Sequence, residues 1–236
     1  MRVDGLTPRM LAIIEIILCS SVPTQVLIAS LLRMAGWTAM DESGQLSLPF
    51  VVTLSAADTI ILIGLMVILT VARRERVSEL WLGRRPVGRE AAIGALLVPV
   101  VFILVVLLLS ALTALAPWLH NVPTNPLENM AGTAVGAAVL GVVAIFAGGV
   151  REELQRVFLL RRFERHLGGA VVGVVVLSVA FGLGHIVQGW DAVVTTGLLG
   201  ACWAVLYLRR RSVVAPLVSH AGFNTLEVLR VAIWGL

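Results

Sequence analysis

An all-α, polytopic membrane helix bundle of about seven transmembrane helices is the fold class this sequence predicts. Three observations carry that reading. Of the 236 residues, 58% are hydrophobic and only 14% are charged, whereas soluble domains carry about 25% charged residues. Mean hydropathy is +0.97. The apolar residues are gathered into runs close to the ~20 residues a helix needs to cross a bilayer. A backbone in hydrocarbon must satisfy its own hydrogen bonds, so runs of that length are read as helices.

The first run, residues 10–34, is interrupted by Pro23 but is long enough to remain as a span rather than be removed as a signal peptide. The second, 49–72, leads into "ARRERVSELWLGRRPVGRE", which holds six arginines. Trp81 in that loop is placed at the membrane interface, on a segment that either lies along the surface or is plainly solvated. The third run is 91–116. The fourth, 131–158, closes on "GGVREELQRVFLLRRF". The fifth, sixth and seventh are 169–188, 191–208 and 212–235.

The loops supply an orientation. "RRFERH" and "RRR" hold three arginines each, while the alternate loops "WTAMDESGQLS", "WLHNVPTNPLENM" and "VQGWD" hold none. All 18 basic residues are Arg, with no Lys. An excess of basic residues marks cytoplasmic loops. The expectation is a cytoplasmic N-terminus and an outside C-terminus. A net charge of +4 is thereby assigned to topology rather than to nucleic-acid binding, which is excluded. Cys19 and Cys202 lie in apolar runs without metal-ligand spacing and are read as small core residues. No internal repeat, low-complexity tract or soluble domain is evident.

Ionisable residues inside spans are costly and need a reason. Glu152, Glu153 and Arg156 end the fourth run, His185 closes "AFGLGH" in the fifth, and His220 and Asn224 stand in "SHAGFN" in the seventh. Glu15 and Asp58 are outliers in the first two, read as bridging helices or lining a cavity. Residues four apart share a helix face, so Glu152 can pair with Arg156, and His220 projects beside Asn224. A carboxylate, two imidazoles and an amide converging in a dry bundle hold the parts for hydrolysis: one to take a proton from water, others to steady an oxyanion. At 1.5 Å per residue, Glu152 and His220 each lie about 14 Å from neighbouring loop arginines, a matched depth. His185, about 24 Å from the start of its span, fits worst. Taken singly, each residue has a plainer reading: Glu152 with Arg156 as an interfacial ion pair, His185 and Asn224 as interhelical hydrogen-bonders, Glu227 with Arg230 as a local pair. His120 and His166 fall in loops with no evident role.

A glutamate pair with Arg, then "FGLGH", then "SHAGFN", in that order on successive spans, resembles the CPBP family, the CAAX-protease and bacteriocin-processing intramembrane proteases also called Abi proteins. The resemblance covers roughly residues 90–236, leaving 1–89 as an N-terminal two-span region with its Arg-rich loop. It departs in one place. The family pattern is EExxxR, but "EELQR" sets Arg156 only four places after Glu152. Either one residue is missing, or Glu152 stands for the second family glutamate and Arg151 for the first.

The resemblance implies an intramembrane endopeptidase. Its general base would be Glu152, acting on water with His185. His220 and Asn224 would form the oxyanion side, Arg156 would orient the carboxylate, and Glu153 would be the alternative base. It implies a membrane-anchored peptide or protein substrate, cut near a membrane-embedded or C-terminal segment. No cofactor is required on this reading. A divalent metal such as zinc has only weak support, since no HExxH is present and two histidines on separate helices are a poor metal signal. The alternatives are a non-proteolytic scaffold or bacteriocin-immunity protein of the same fold, and a small transporter, for which no inverted repeat is seen. Exclusive use of Arg suggests a GC-rich bacterial genome and hence the bacterial inner membrane.

Overall fold

Proline and glycine decide where the helices of this chain begin and break. The computed structural model describes residues 7–234. Residue 235 at the end of the seventh predicted run, and both chain termini, lie outside the described residues. Helix α1 (Pro8–Leu18) starts with Pro8 in its first turn and with Thr7 Oγ1 accepting from the Met10 amide at 3.3 Å. The chain then breaks at Ser21, which holds a left-handed φ of 68°. It restarts as α2 (Val22–Met34), with Pro23 in the first turn, where a missing N–H costs nothing. The first predicted run is therefore two helices.

Next come α3 (Leu48–Ala72), the five-residue α4 (Val77–Trp81) and α5 (Val87–Leu115). Beyond two short 3-10 turns, α6 (Ala134–Val143) passes into a π-helical segment (Ala144–Arg151) and then α7 (Glu152–His166). The remaining helices are α8 (Gly169–Leu183), α9 (Trp190–Arg210) and α10 (Val214–Trp234). Among the described residues there is no strand, only an isolated pairing of Met40 with Leu46.

Among the described residues five helical stretches are long and apolar enough to cross a membrane: Pro8–Met34, Leu48–Ala72, Val87–Leu115, Ala134–His166 and Trp190–Arg210. The other two predicted spans fall outside that set. Helix α8 is apolar but only 15 residues long, because Gly184 and His185 turn the chain out of the helix. Helix α10 is 21 residues long but carries His220, Asn224, Glu227 and Arg230.

Helix α10 packs against α5 and the π-helical segment, α8 against α9 and α7, and α1 against α7. The main core joins Leu62 and Met66 of α3 with Val157, Phe158 and Leu160 of α7 and Ala204 and Tyr207 of α9. Trp81 belongs to this core and is buried, not seated at an interface. Its Nε1 donates to the Leu154 carbonyl at 3.2 Å, and its own carbonyl accepts from the Val213 amide at 2.7 Å. The loop read as surface-lying or solvated is thus pinned to α7 and α10. Cys19 is a core residue as expected, but Cys202 is exposed on α9.

Glu15 does bridge helices. Its carboxylate lies 2.6 Å from Arg73 and 2.6 Å from Arg162, whose guanidinium is fully buried and also reaches Glu75 at 3.0 Å. Removing one partner from such a buried cluster leaves an uncompensated charge, so the cluster fixes how α1, α3 and α7 meet. His120, given no role by sequence, sits 2.7 Å from buried Asp191 and joins the 117–122 loop to the start of α9.

Candidate active site

The glutamate pair follows directly on the π-helical segment. Bonding from i to i+5 widens the turns and rotates whatever follows, a feature found mostly at functional sites. Here the widened stretch lies against α10 at very close range. A Cβ on Gly149 would stand 2.5 Å from the Ala221 Cβ, and one on Gly148 would stand 2.5 Å from Asn224 Nδ2. Glycine at these two places lets the backbone before the glutamates reach the "SHAGFN" helix. Asn224 Nδ2 donates to the Ala144 carbonyl at 3.3 Å, fastening the start of the same segment.

At this contact Glu153, Arg156 and His220 meet. All three side chains are buried, Glu153 completely. Arg156 forms an ion pair with Glu153 Oε1, and the same oxygen lies 2.8 Å from His220 Nδ1. Glu153 Oε2 is buried with no hydrogen-bond partner among the described residues. The Arg156 guanidinium lies 4.5 Å from the Phe181 ring centre and 5.6 Å from that of Trp203. A cation over aromatic faces is favoured there, more so when desolvated. Trp203 stacks on the His220 imidazole at 3.8 Å between centroids and 17° between planes. Its Nε1 donates to Ser219 Oγ at 3.3 Å.

Glu152 stands at the edge of this group, its side chain 18% exposed. Its Oε2 is 3.9 Å from His220 Nε2. That is too long for a direct hydrogen bond, yet both atoms can reach one water. Its Oε1 is held by Arg151 Nη2 at 3.0 Å. Arg151 in turn reaches Ser21 Oγ at 3.0 Å and Asp58 at 2.5 Å. Asp58, 1% exposed, also accepts from Thr24 and from Gln25 Nε2 at 3.2 Å.

Arg156 therefore pairs with Glu153, three residues away, and not with Glu152, four away. Sequence spacing allows both pairings. The structure gives the two glutamates separate arginines, Arg151 for Glu152 and Arg156 for Glu153. His185 is set apart. Its Nδ1 lies 2.9 Å from the Phe181 carbonyl, and it makes no hydrogen bond or ion pair with Glu152, Glu153 or His220. Phe181 links the two imidazoles by edge contacts, its ring centre 4.9 Å from His185 and 6.0 Å from His220.

Two parts of this arrangement escaped the sequence reading. Asp58, expected to bridge helices or line a cavity, does bridge helices, but nothing local names Arg151 as its partner 93 residues on. Trp203 carries no signal, because an aromatic residue on an apolar helix face normally reads as core. As for metal, the free oxygens and His220 Nε2 lie among carboxylates already matched by two guanidiniums. Among the described residues no three His, Cys, Asp or Glu side chains form a group suited to an ion. This donor set does not fit zinc in the three-ligand manner of catalytic sites.

Comparison with known families gives a match over part of the chain. Residues 133–226 match the family described as Rce1-like, type II CAAX prenyl endopeptidase Rce1-like. The match bears out the resemblance to the CPBP proteases. The matched segment runs from the N-cap of α6 into α10 and contains Glu152, Glu153, Arg156, His185, His220 and Asn224. No curated protein and no solved structure matches the chain.

Proposed function

We propose, from the Rce1-like match over residues 133–226, that this membrane protein is an intramembrane endopeptidase. It hydrolyses a peptide bond near a membrane-embedded or C-terminal segment of a membrane-anchored substrate. At the family level the match supports a CAAX-type intramembrane protease and thus a peptide hydrolase. The substrate and the residue roles are our reading.

The observation that carries it is the meeting of α7 and α10 at Glu153, His220 and Glu152. Glu153, held by Arg156, accepts from His220 Nδ1–H. That fixes the imidazole in the tautomer whose Nε2 lone pair points toward Glu152. A water between Nε2 and Glu152 Oε2 gives a proton to Glu152 as its oxygen attacks the peptide carbonyl carbon. The C–N bond then breaks, and Glu152 returns the proton to the departing amine. Asn224 supplies a second amide hydrogen to the oxyanion, the first being committed to Ala144. His185 shares the water when a substrate displaces the Phe181 ring that touches both imidazoles. No metal is assigned a step.

The test is terminal proteomics of membranes from cells expressing wild type, Glu152→Gln or His220→Ala. New peptide termini should appear with wild type and vanish with both variants, each still inserted and folded. A second reading, a non-proteolytic scaffold, draws on the pairing of each glutamate with an arginine. It would be favoured if the variants kept the phenotype of the wild type and no termini changed.

A further inference from the structure

Two cavities adjoin at the arginine-rich end of the bundle, neither lined by Glu152, Glu153 or His220. One, of about 850 Å³, is lined by nine arginines and two glutamates, with Tyr207 and Leu80 in its wall. The other, of about 760 Å³, is lined mainly by apolar side chains, among them Val71, Val77, Trp81, Leu82 and Val214. Glu75 and Arg76 line both, so the apolar space and the cationic space meet.

Most of the arginine charge is already matched inside the protein. Arg165 is paired with Glu75, Arg76 with Glu79, Arg210 with Glu90, and Arg211 with Glu164. Arg74 and Arg84 are different: their side chains make no hydrogen bond or ion pair among the described residues. Arg85 donates only to the Arg210 carbonyl, at 2.7 Å. Arg74 and Arg84 thus face one cavity without an ion pair, and Arg85 beside them interacts with Glu90 without pairing to it. Arg74 also holds a left-handed backbone, φ 57°, where glycine would be less strained. Arg74 stands two residues after Ala72, the end of α3, and Arg84 and Arg85 stand just before Val87, the start of α5, both helices being long and apolar enough to cross a membrane. That is the depth of lipid headgroups, where unmatched basic side chains attract anionic lipid.

We infer that the paired cavities form a binding site for an anionic phospholipid, its phosphate among Arg74, Arg84 and Arg85 and one acyl chain along the apolar cavity. A free phosphate would satisfy only the arginines. An uncharged chain would satisfy only the apolar space. The junction at Glu75 and Arg76 suits a ligand that has both parts.

The test is native mass spectrometry of the full chain in neutral detergent with equal amounts of phosphatidylglycerol and phosphatidylcholine. Wild type should retain phosphatidylglycerol in clear excess. Each basic residue near the surface contributes about fivefold in affinity, so Arg74→Gln with Arg84→Gln should lose about 25-fold. Val77→Trp, which fills the apolar cavity and leaves every guanidinium in place, should also release the lipid. Equal retention of the two lipids by wild type overturns the inference without recourse to any variant. So does displacement of phosphatidylglycerol by millimolar inorganic phosphate, which would mean a phosphate site alone. A cavity that takes up neither lipid is left open to a peptide segment and overturns it equally.

Discussion

Arg151 Nη1 lies 2.5 Å from Asp58 Oδ2, tying the residue that precedes the glutamate pair to a helix 93 residues earlier in the chain. Through its second nitrogen Arg151 holds Glu152, so the N-terminal region reaches the proposed base by one intermediary. Breaking a buried pair by removing one partner costs about 3–5 kcal/mol, because the other charge stays behind unmatched. Asp58→Ala should therefore lower unfolding stability in detergent by about that amount. Asp58→Leu combined with Arg151→Met should recover most of it, since an apolar replacement of both partners removes the stranded charge. Cleavage should stay low in the double variant, with Glu152 no longer held. Recovery of both stability and cleavage would leave Arg151 without a positioning role.

Glu153→Gln separates charge from shape at the centre of the site. The amide oxygen can take the place of Oε1 and still accept from Arg156 and from His220 Nδ1–H, with the NH₂ at the unpartnered Oε2 position, so the tautomer is kept and only the negative charge is lost. The buried Arg156 guanidinium is then left without a counter-ion, and His220 Nε2 is no longer made more basic by an anion on its other nitrogen. We expect cleavage to fall by about 10²-fold with the helical content unchanged. A variant with near wild-type cleavage would remove Glu153 from the mechanism.

These two sites differ in how far the sequence could disclose them. Apolar run length located every helix that packs around the site, because hydrocarbon permits few alternatives to a helix. Glu153, Arg156 and His220 were legible as charges in the wrong solvent. Which glutamate Arg156 takes was not, since i+3 and i+4 both lie on one face, and the π-helical turn before Glu152 sets the rotation. That turn has no composition of its own beyond Gly148 and Gly149, which also read as ordinary helix packing. The Asp58–Arg151 pair was illegible for another reason: its partners lie on separate helices, and neither local sequence mentions the other. His185 is the poorest depth match, and the structure leaves it outside the cluster.

Trp203 offers a test of packing against chemistry. It stacks on His220 and donates to Ser219, so Trp203→Ala removes a ring and strands a hydroxyl. Core Trp→Ala changes cost about 3–5 kcal/mol, and thermal unfolding should fall accordingly. Trp203→Phe keeps an aromatic face against the imidazole but is smaller and also leaves Ser219 without its donor, so it should cost less than Ala, about 1–3 kcal/mol. Cleavage should follow the ring and not the indole nitrogen: retained in Phe, lost in Ala. Loss in both would point to the Ser219 hydrogen bond instead.

Gly148 and Gly149 are adjacent, yet adding one methyl group to each should have opposite signatures. At Gly149 the new Cβ meets the Cβ of Ala221 at 2.5 Å and its Cα at 2.9 Å. Neither can turn away, so α10 must shift, and overpacking of this kind costs about 1–3 kcal/mol. At Gly148 the new Cβ meets only the Asn224 amide nitrogen, at 2.5 Å, the free end of a flexible side chain. Rotating that amide is cheap, but it gives up the hydrogen bond to Ala144 and moves the hydrogens proposed for the oxyanion. A helical Gly→Ala change also gains up to about 1 kcal/mol of intrinsic propensity. Gly149→Ala should thus lower the melting temperature, while Gly148→Ala should keep or raise it and lose about 10²–10³-fold in kcat, the usual effect of removing one oxyanion donor. If Gly148→Ala cleaves at the wild-type rate, Asn224 is a fastening for the π-helical segment and nothing more.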